Sequence, residues 1–312
     1  MEAGGSKNLQ APHMPCYHPI SAYQCTDGTI VFSELRKHDI SRSLNLPCGQ
    51  CVGCRLERSR QWAIRCMHEA QMHEKNCFIT LTYDNAHLPS DRSLHYRDFQ
   101  LFIKRLRKRY PGRRIRYYMA GEYGENLGRP HWHACIFGLD FDDKKLWDRS
   151  PAGSLLYRSE NLELLWPFGY STIGDVTFES AAYVARYIMK KVTGKNSKEH
   201  YTEIDSESGE IITRKPEFTK MSLKPGIGYE WYKQYTSDVY PHDYVIVRGK
   251  KVKPPKYYDK KYKIDQPYEF DELLYIREKT AKLHSEDNTP ERLLVKEQVA
   301  KAKLQKLKRN LT

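Results

Sequence analysis

No apolar run in the sequence approaches the roughly 18 residues a membrane-spanning helix needs, so a helical membrane span is excluded. An internal repeat is also missing, and low-complexity sequence is confined to short basic stretches, which predicts one main domain with appendages. Met1 to Gln10 holds Gly, Ser and Lys but no apolar core of a signal peptide, so secretion is not expected. No GxxxxGK[ST] phosphate loop occurs, so a helicase motor of its own is not expected either. Apolar residues are scarce at 39%, against roughly 45 to 50% in globular proteins. Acidic residues are outnumbered, with 39 Asp and Glu facing 52 Lys and Arg for a net charge of +13. That balance suits a polyanionic partner, nucleic acid or an anionic membrane surface, better than a neutral metabolite. What is present is 312 residues, enough at roughly 150 per domain for one or two domains with a sizeable core. Eight cysteines in a chain not marked for export point to reduced thiols or metal ligands rather than a disulfide framework.

Composition divides the chain into a Cys-rich segment and helix at 1–76, a core at 77–195 and a basic accessory region at 196–312. A helix is expected from Arg55 to about His73, with Leu56, Ala63, Cys66 and Ala70 on one stripe. Phe78-Ile-Thr-Leu-Thr-Tyr83 is rich in β-branched and aromatic residues and ends at Asp84-Asn85, which predicts a strand. From Tyr96 to Tyr110 the apolar residues Phe99, Phe102, Ile103, Leu106 and Tyr110 recur every three or four positions, a helix stopped by Pro111-Gly112. Arg114 to Glu122 and His131 to Leu139 alternate, and the loop between them makes the pair a hairpin. Beyond residue 195 a small hairpin is expected through Tyr201 to Arg214, then Lys224-Pro-Gly-Ile-Gly228 and a Tyr-rich basic stretch. A last helix starts at Thr289-Pro290-Glu291 and runs through Lys308; it either touches DNA or is simply solvated.

Arg129-Pro-His-Trp-His133 carries the sharpest chemistry. Histidines at i and i+2 of a strand project to one face, where both imidazoles can share a cation or stand as two polar rings in solvent. Glu122 ends the preceding strand nine positions before His131, and the hairpin can bring its carboxylate beside them. Two imidazoles and a carboxylate leave open positions for water and substrate oxygens, a shell able to hold Mg²⁺, Mn²⁺, Zn²⁺ or Fe²⁺. Trp132 alternates to the other face, towards the core. On the expected helix around Tyr183-Val-Ala-Arg-Tyr187, Ala181, Val184, Ala185, Ile188 and Val192 form an apolar stripe. Tyr183, Tyr187 and Lys190 fall on the opposite side, and the i, i+4 spacing offers both phenols to one place. Such a pair is either plain surface or a nucleophile pair for a phosphodiester, with lysine countering the phosphate charge. Cys48, Cys51 and Cys54 have a spacing suited to a structural Zn²⁺, an iron–sulfur centre or a reduced turn, with Cys16, Cys25 or Cys66 open as a fourth ligand.

Taken in order, Phe78–Tyr83, Arg129–His133 and Tyr183–Tyr187 resemble the three motifs of HUH endonucleases, specifically the two-tyrosine rolling-circle replication initiators. Pro47-Cys-Gly-Gln-Cys51-Val-Gly-Cys54-Arg-Leu-Glu, Ala120-Gly-Glu-Tyr-Gly124 and Lys224-Pro-Gly-Ile-Gly228 are similar to the initiators of gokushovirus-like Microviridae bacteriophages. Each motif is short; their order and spacing make the combination specific. The resemblance implies an α+β fold: an HUH domain with a central antiparallel sheet flanked by helices, plus the Cys-rich and basic appendages. It makes Glu122, His131 and His133 the ligands of a divalent metal, Mg²⁺ or Mn²⁺, and Tyr183 and Tyr187 the nucleophiles. Phe78 to Tyr83 becomes the central strand.

The implied reaction is sequence-specific nicking and joining of circular phage DNA at its replication origin through a 5′-phosphotyrosine. Single-stranded or locally melted origin DNA is the expected partner, with Arg129, Lys190 and Lys191 as its contacts by proximity. A host helicase and DNA polymerase complete the expected partners, no membrane is expected, and the setting is the host bacterial cytoplasm. Two other readings stand beside this one: a metal-dependent hydrolase using activated water, and a non-catalytic DNA-binding protein.

Overall fold

A computed structural model of the chain describes residues 16–33, 39–124, 128–190, 197–204 and 209–305, without the side chains at 187–190 and 203. The described residues form two compact units, 16–58 with 261–305, and 59–260. In the first, β1 (Ile20–Cys25) lies between β2 (Ile30–Val31) and β3 (Ile40–Leu46), antiparallel to both. The chain then enters α1 (Val52–Gln71), which passes into the second unit at Ser59. This helix begins three residues before the expected Arg55, inside the cysteine motif.

The second unit is built on β4 (Asn76–Tyr83), α2 (Tyr96–Arg109), β5 (Arg116–Tyr123), β6 (Pro130–Phe137), β7 (Lys145–Arg149), β8 (Leu155–Arg158), α3 (Glu160–Leu165), β9 (Gly169–Gly174) and α4 (Phe178–Lys190). After these come α5 (Ser197–His200), the hairpin β10 (Thr202–Ile204) and β11 (Ile211–Thr213), then β12 (Phe218–Met221) and α6 (Tyr229–Val239). A further hairpin of β13 (Val245–Val247) and β14 (Lys250–Val252) precedes α7 (Lys256–Asp265). Seven strands form one antiparallel sheet in the order β12-β5-β6-β4-β9-β8-β7, so β4 is the middle strand. The edge strand β12 comes from beyond residue 195. The α+β class with a large antiparallel sheet flanked by helices is as expected. No described helix is long and apolar enough to cross a membrane.

Period-two alternation gives this sheet two covered faces. Cys77, Ile79, Leu81 and Tyr83 of β4 join Trp132, Ala134 and Ile136 of β6 beneath Phe99, Phe102, Ile103 and Leu106 of α2. The 3.6-residue apolar stripe of α2 therefore folds where its sequence pattern points, and each large side chain buried there contributes about 1.5 to 3 kcal/mol. On the other face Phe78, Tyr118, Ala120, Cys135 and Phe137 pack with Ala63 and Cys66 of α1 and Ala181, Val184 and Ala185 of α4. Ser59 fixes the two helices together by donating its hydroxyl to the Ala182 carbonyl at 3.0 Å.

A buried ion pair anchors this second face. Arg116 donates from Nε to the Glu69 carboxylate and from Nη2 to the Pro225 carbonyl at 2.7 Å, while the Gly228 N–H donates to Glu69 at 2.7 Å. Burial pushes the Glu69 carboxyl up, but hydrogen bonds from His73 and Gly228 and the Arg116 charge hold it below the usual carboxylate range. The Lys224–Gly228 motif is thereby a structural turn, tied to α1 again by Arg65 Nε donating to the Ile227 carbonyl at 3.0 Å. The Tyr-rich basic stretch after it is helical, where its scattered lysines and tyrosines show no clean period. The first unit resumes with the end of α7, α8 (Pro267–Leu283) and α9 (Pro290–Gln305). Pro290 opens the final helix as expected; residues 306–308 lie outside the described residues.

Candidate active site

Register puts the polar residues of three neighbouring strands side by side on the α4 face. Glu122 of β5 stands opposite His131 of β6, and Ala120 opposite His133. From the other side β4 sets Thr82 opposite His131 and Thr80 opposite His133. The contacts follow that ladder: Thr82 Oγ1 lies 2.9 Å from His131 Nδ1, and Thr80 Oγ1 lies 3.0 Å from His133 Nδ1. His133 Nε2 meets Glu122 Oε1 at 2.7 Å. Each threonine hydroxyl can donate or accept, so it orients its imidazole whichever ring nitrogen holds the proton.

Burial grades along this row. His133 is 2% exposed and Glu122 4%, whereas His131, two residues nearer the hairpin end, is half-buried. Taking a carboxylate and an imidazole out of water is costly unless they pair, and here they are paired with each other. Gly124 leaves room at the open end, since a Cβ there would lie 2.7 Å from His131 Nε2. Trp132, facing the other way, is fully buried.

Tyr183 is the α4 residue that reaches this row. Its ring meets that of His133 edge-on, with centroids 5.3 Å apart and planes at 83°, and it packs at the margin of the buried cluster. A strict helical wheel sets Tyr183 opposite the apolar stripe. The structure instead leaves it half-buried, because α4 packs across β5, β6 and β12 and covers more than the stripe. Arg186, one turn on, interacts electrostatically with Tyr183: burial pulls its guanidinium below the usual value, and the phenol's negative form opposes that pull. Its Nε is buried and has no hydrogen-bond partner among the described residues.

The remaining site candidates divide. The side chains of Tyr187 and Lys190, though on α4, and all of Lys191 lie outside the described residues. Arg129 is occupied at the end of β4, donating to the Tyr83 carbonyl at 2.7 Å and to Asn85 Oδ1 at 2.5 Å. Cys48, Cys51 and Cys54 come together in the first unit and are joined by Cys16, with all four sulfurs within 4.8 Å of one another, a cluster that could bind a structural metal. Cys25 and Cys66 are buried outside that cluster.

Sequence reasoning missed Thr80, Thr82 and Arg186. The threonines had a signal, the same i, i+2 spacing as the histidines they face. Arg186 had none, because its neighbours along α4 already offered two lysines.

Comparison with known proteins gives a consistent result. Residues 76–192 match the family model of the replication-associated protein ORF2. The chain is 37% identical over 278 residues to Replication-associated protein VP4 of Bdellovibrio phage phiMH2K, covering 85% of this chain and 84% of that one. It is 32% identical over 295 residues to Replication-associated protein ORF2 of Spiroplasma virus 4, covering 86% and 87%. Replication-associated protein ORF4 of Chlamydia phage 1 is 32% identical over 224 residues, 69% of this chain and 53% of that one. No solved structure matches the chain.

Proposed function

The chain belongs to the replication-associated proteins of microvirus-like phages, which act in replication initiation, and we propose that it does so as an HUH-type nicking and joining enzyme on circular phage DNA. The observation that carries this reading is the edge-on contact of Tyr183 with His133, which brings a phenol to a histidine–carboxylate row. Neither a water-using hydrolase nor a passive DNA-binding protein needs that contact.

Glu122, His131 and His133 have the donor chemistry for a hard divalent ion such as Mg²⁺ or Mn²⁺, and the buried Glu122–His133 hydrogen bond is a place where a cation can replace a shared proton. When bound, such an ion draws charge from the scissile phosphate. Thr80 and Thr82 hold the two imidazoles in orientation, which leaves each Nε2 facing the site. Tyr183 Oη attacks phosphorus, its proton is lost to solvent, and the bond to the 3′ oxygen breaks. That oxygen leaves as a 3′-hydroxyl after taking up a proton, and the 5′ phosphate remains on tyrosine. The ordinary phenol pKa near 10 makes this a weak nucleophile at neutral pH, so the Arg186 charge beside it favours phenolate.

Tyr187, four residues on, serves as the second nucleophile: one tyrosine holds a 5′ end while the other cuts after a round of synthesis, and the freed hydroxyl closes the circle. The first 3′-hydroxyl primes a host polymerase, with a host helicase opening the duplex. Lys190 and Lys191 supply phosphate contacts, and Arg129 holds the β4 loop beside the DNA path. In this reading 77–195 is the catalytic core, with 1–76 and 196–312 flanking it.

The test is a supercoiled circle carrying the origin, incubated with the full chain and Mn²⁺ and run on a denaturing gel. The expected product is an open circle with protein bound covalently. An open circle free of protein would instead establish water as the nucleophile, and no nicking under any divalent ion would leave a DNA-binding role.

A further inference from the structure

The cysteine cluster takes no part in the reaction proposed for the hairpin. We propose that Cys16, Cys48, Cys51 and Cys54 form a closed tetrathiolate site for one Zn²⁺ ion, and that this ion holds the first unit together.

Geometry favours a single ion. A tetrahedral zinc with Zn–S bonds of about 2.3 Å places its sulfurs about 3.8 Å apart. Here the four sulfurs lie within 4.8 Å of one another, and those of Cys16 and Cys51 are 4.0 Å apart. A disulfide would bring two of them to about 2.0 Å, and all four cysteines are free. An iron–sulfur cluster binds its thiolates on separate irons, which spreads the sulfurs wider than ligands of one ion. The absence of any nitrogen or oxygen ligand in the set suits zinc and leaves no open coordination position for a reactant.

The backbone is arranged for negatively charged sulfur. Cys16 Sγ accepts from the Cys48 N–H at 3.2 Å; Cys48 Sγ accepts from Gln50 at 3.5 Å and Cys51 at 3.3 Å. Cys51 Sγ accepts from Tyr17 at 3.3 Å and Cys54 at 3.5 Å. Gly49 makes the turn that aims these donors, with φ of +73°, a conformation L side chains rarely adopt. Cys51 and Cys54 flank the first residues of the 20-residue helix α1, whose N-terminal dipole favours anionic ligands.

The first unit has little else at its centre. Beyond the clustered cysteines its buried apolar residues are Ala22, Cys25, Tyr262, Phe270, Leu273 and Leu293. So small a core is the situation in which a structural metal supplies folding free energy. Cys16 precedes β1, while the other three ligands follow β3, so the ion clasps both ends of the three-stranded sheet.

The full chain, purified in reductant without chelator, is expected to carry one zinc and no iron by elemental analysis. Cobalt in its place should give the intense visible absorption of a tetrahedral, sulfur-rich site. Cys16→Ser should weaken zinc binding by more than the 10- to 100-fold typical of losing an outer partner, while Cys25→Ser leaves it unchanged. If Cys16→Ser does not fold, iodoacetamide mapping of the wild-type chain decides. Zinc should protect all four cysteines, and its removal should expose Cys16 together with the other three. A metal-free or iron-containing protein overturns the proposal, as does full zinc binding by Cys16→Ser or alkylation of Cys16 while zinc stays bound. None of these readouts depends on nicking, so this proposal and the catalytic one fail separately.

Discussion

The cysteine cluster and the histidine row assemble their donors by opposite means. Three of the four cysteines fall within seven residues at one corner, and turn geometry and a helix N-terminus aim them at one point. The histidine row is spread across strands β4, β5 and β6, and only the register of the sheet brings it together. Sulfur donors with no open side suit an ion that stays; oxygen and nitrogen donors at the half-buried end of a sheet suit an ion that meets substrate. One cluster stabilises a fold, the other is placed to do chemistry, and the two should respond differently to the same perturbation.

The sharpest separation comes from the histidines. Converting His131 and His133 together to Ala should slow nicking by about 10³-fold, equivalent to about 4 kcal/mol of transition-state stabilisation, with DNA affinity and zinc content unchanged. Gel-shift and elemental analysis alongside the nicking assay check all three quantities. EDTA should produce a similar loss that added Mn²⁺ reverses, while zinc remains bound to the cysteines; parallel loss of zinc and activity on the same time course would erase the distinction.

A smaller effect is expected one layer out. Thr80→Val with Thr82→Val keeps side-chain shape but removes the hydroxyls that orient the imidazoles, and should weaken Mn²⁺ activation of nicking by about 10- to 100-fold. The corresponding measurement is the Mn²⁺ concentration giving half-maximal nicking. An unchanged value would mean the strand register alone orients the rings.

The smallest effect lies in the framework that carries the row. Burial pulls His68 down to about 3, where it sits between Trp231 and Tyr258 and shares a 2.9 Å hydrogen bond with the Tyr258 hydroxyl. The folded chain therefore keeps this ring neutral below pH 6.5 while the unfolded chain protonates it. The unfolded state binds more protons, so stability is fully present above about pH 6.5 and declines as the pH falls towards 3, by on the order of 1 kcal/mol per pH unit. Between pH 6.5 and 5, above the range where Glu69 titrates, His68→Phe should flatten the dependence of Tm on pH in calorimetry.

How far the site could be read from sequence follows the same contrast. Glu122 and His131 were legible as partners because a short connection fixes the register of β5 against β6. Their pairing with Thr82 and Thr80 was not, since α2 and β5 lie between β4 and β6 in the chain. Cys48, Cys51 and Cys54 announced themselves by spacing, whereas Cys16 is brought in by the β1–β3 pairing and could not be preferred to Cys25 or Cys66. The helix α2 and the hairpin strands matched their periodicity. The strands β7 and β8 carry mostly exposed or half-buried residues and gave no alternation to read. Tyr183 was found by type and spacing, but its burial against His133 depends on how α4 crosses the sheet.

The central claim is that a tyrosine of α4 becomes covalently joined to DNA. A single-stranded oligonucleotide spanning the origin and labelled at its 3′ end tests this most directly, because that end stays with the 5′ phosphate after cleavage. With Mn²⁺ the label should migrate with the protein, and mass spectrometry should place the nucleotide on a peptide containing Tyr183 or Tyr187. The adduct should vanish in the Tyr183→Phe, Tyr187→Phe double variant while DNA binding persists. Cleavage without an adduct, or an adduct that survives in the double variant, would contradict the account.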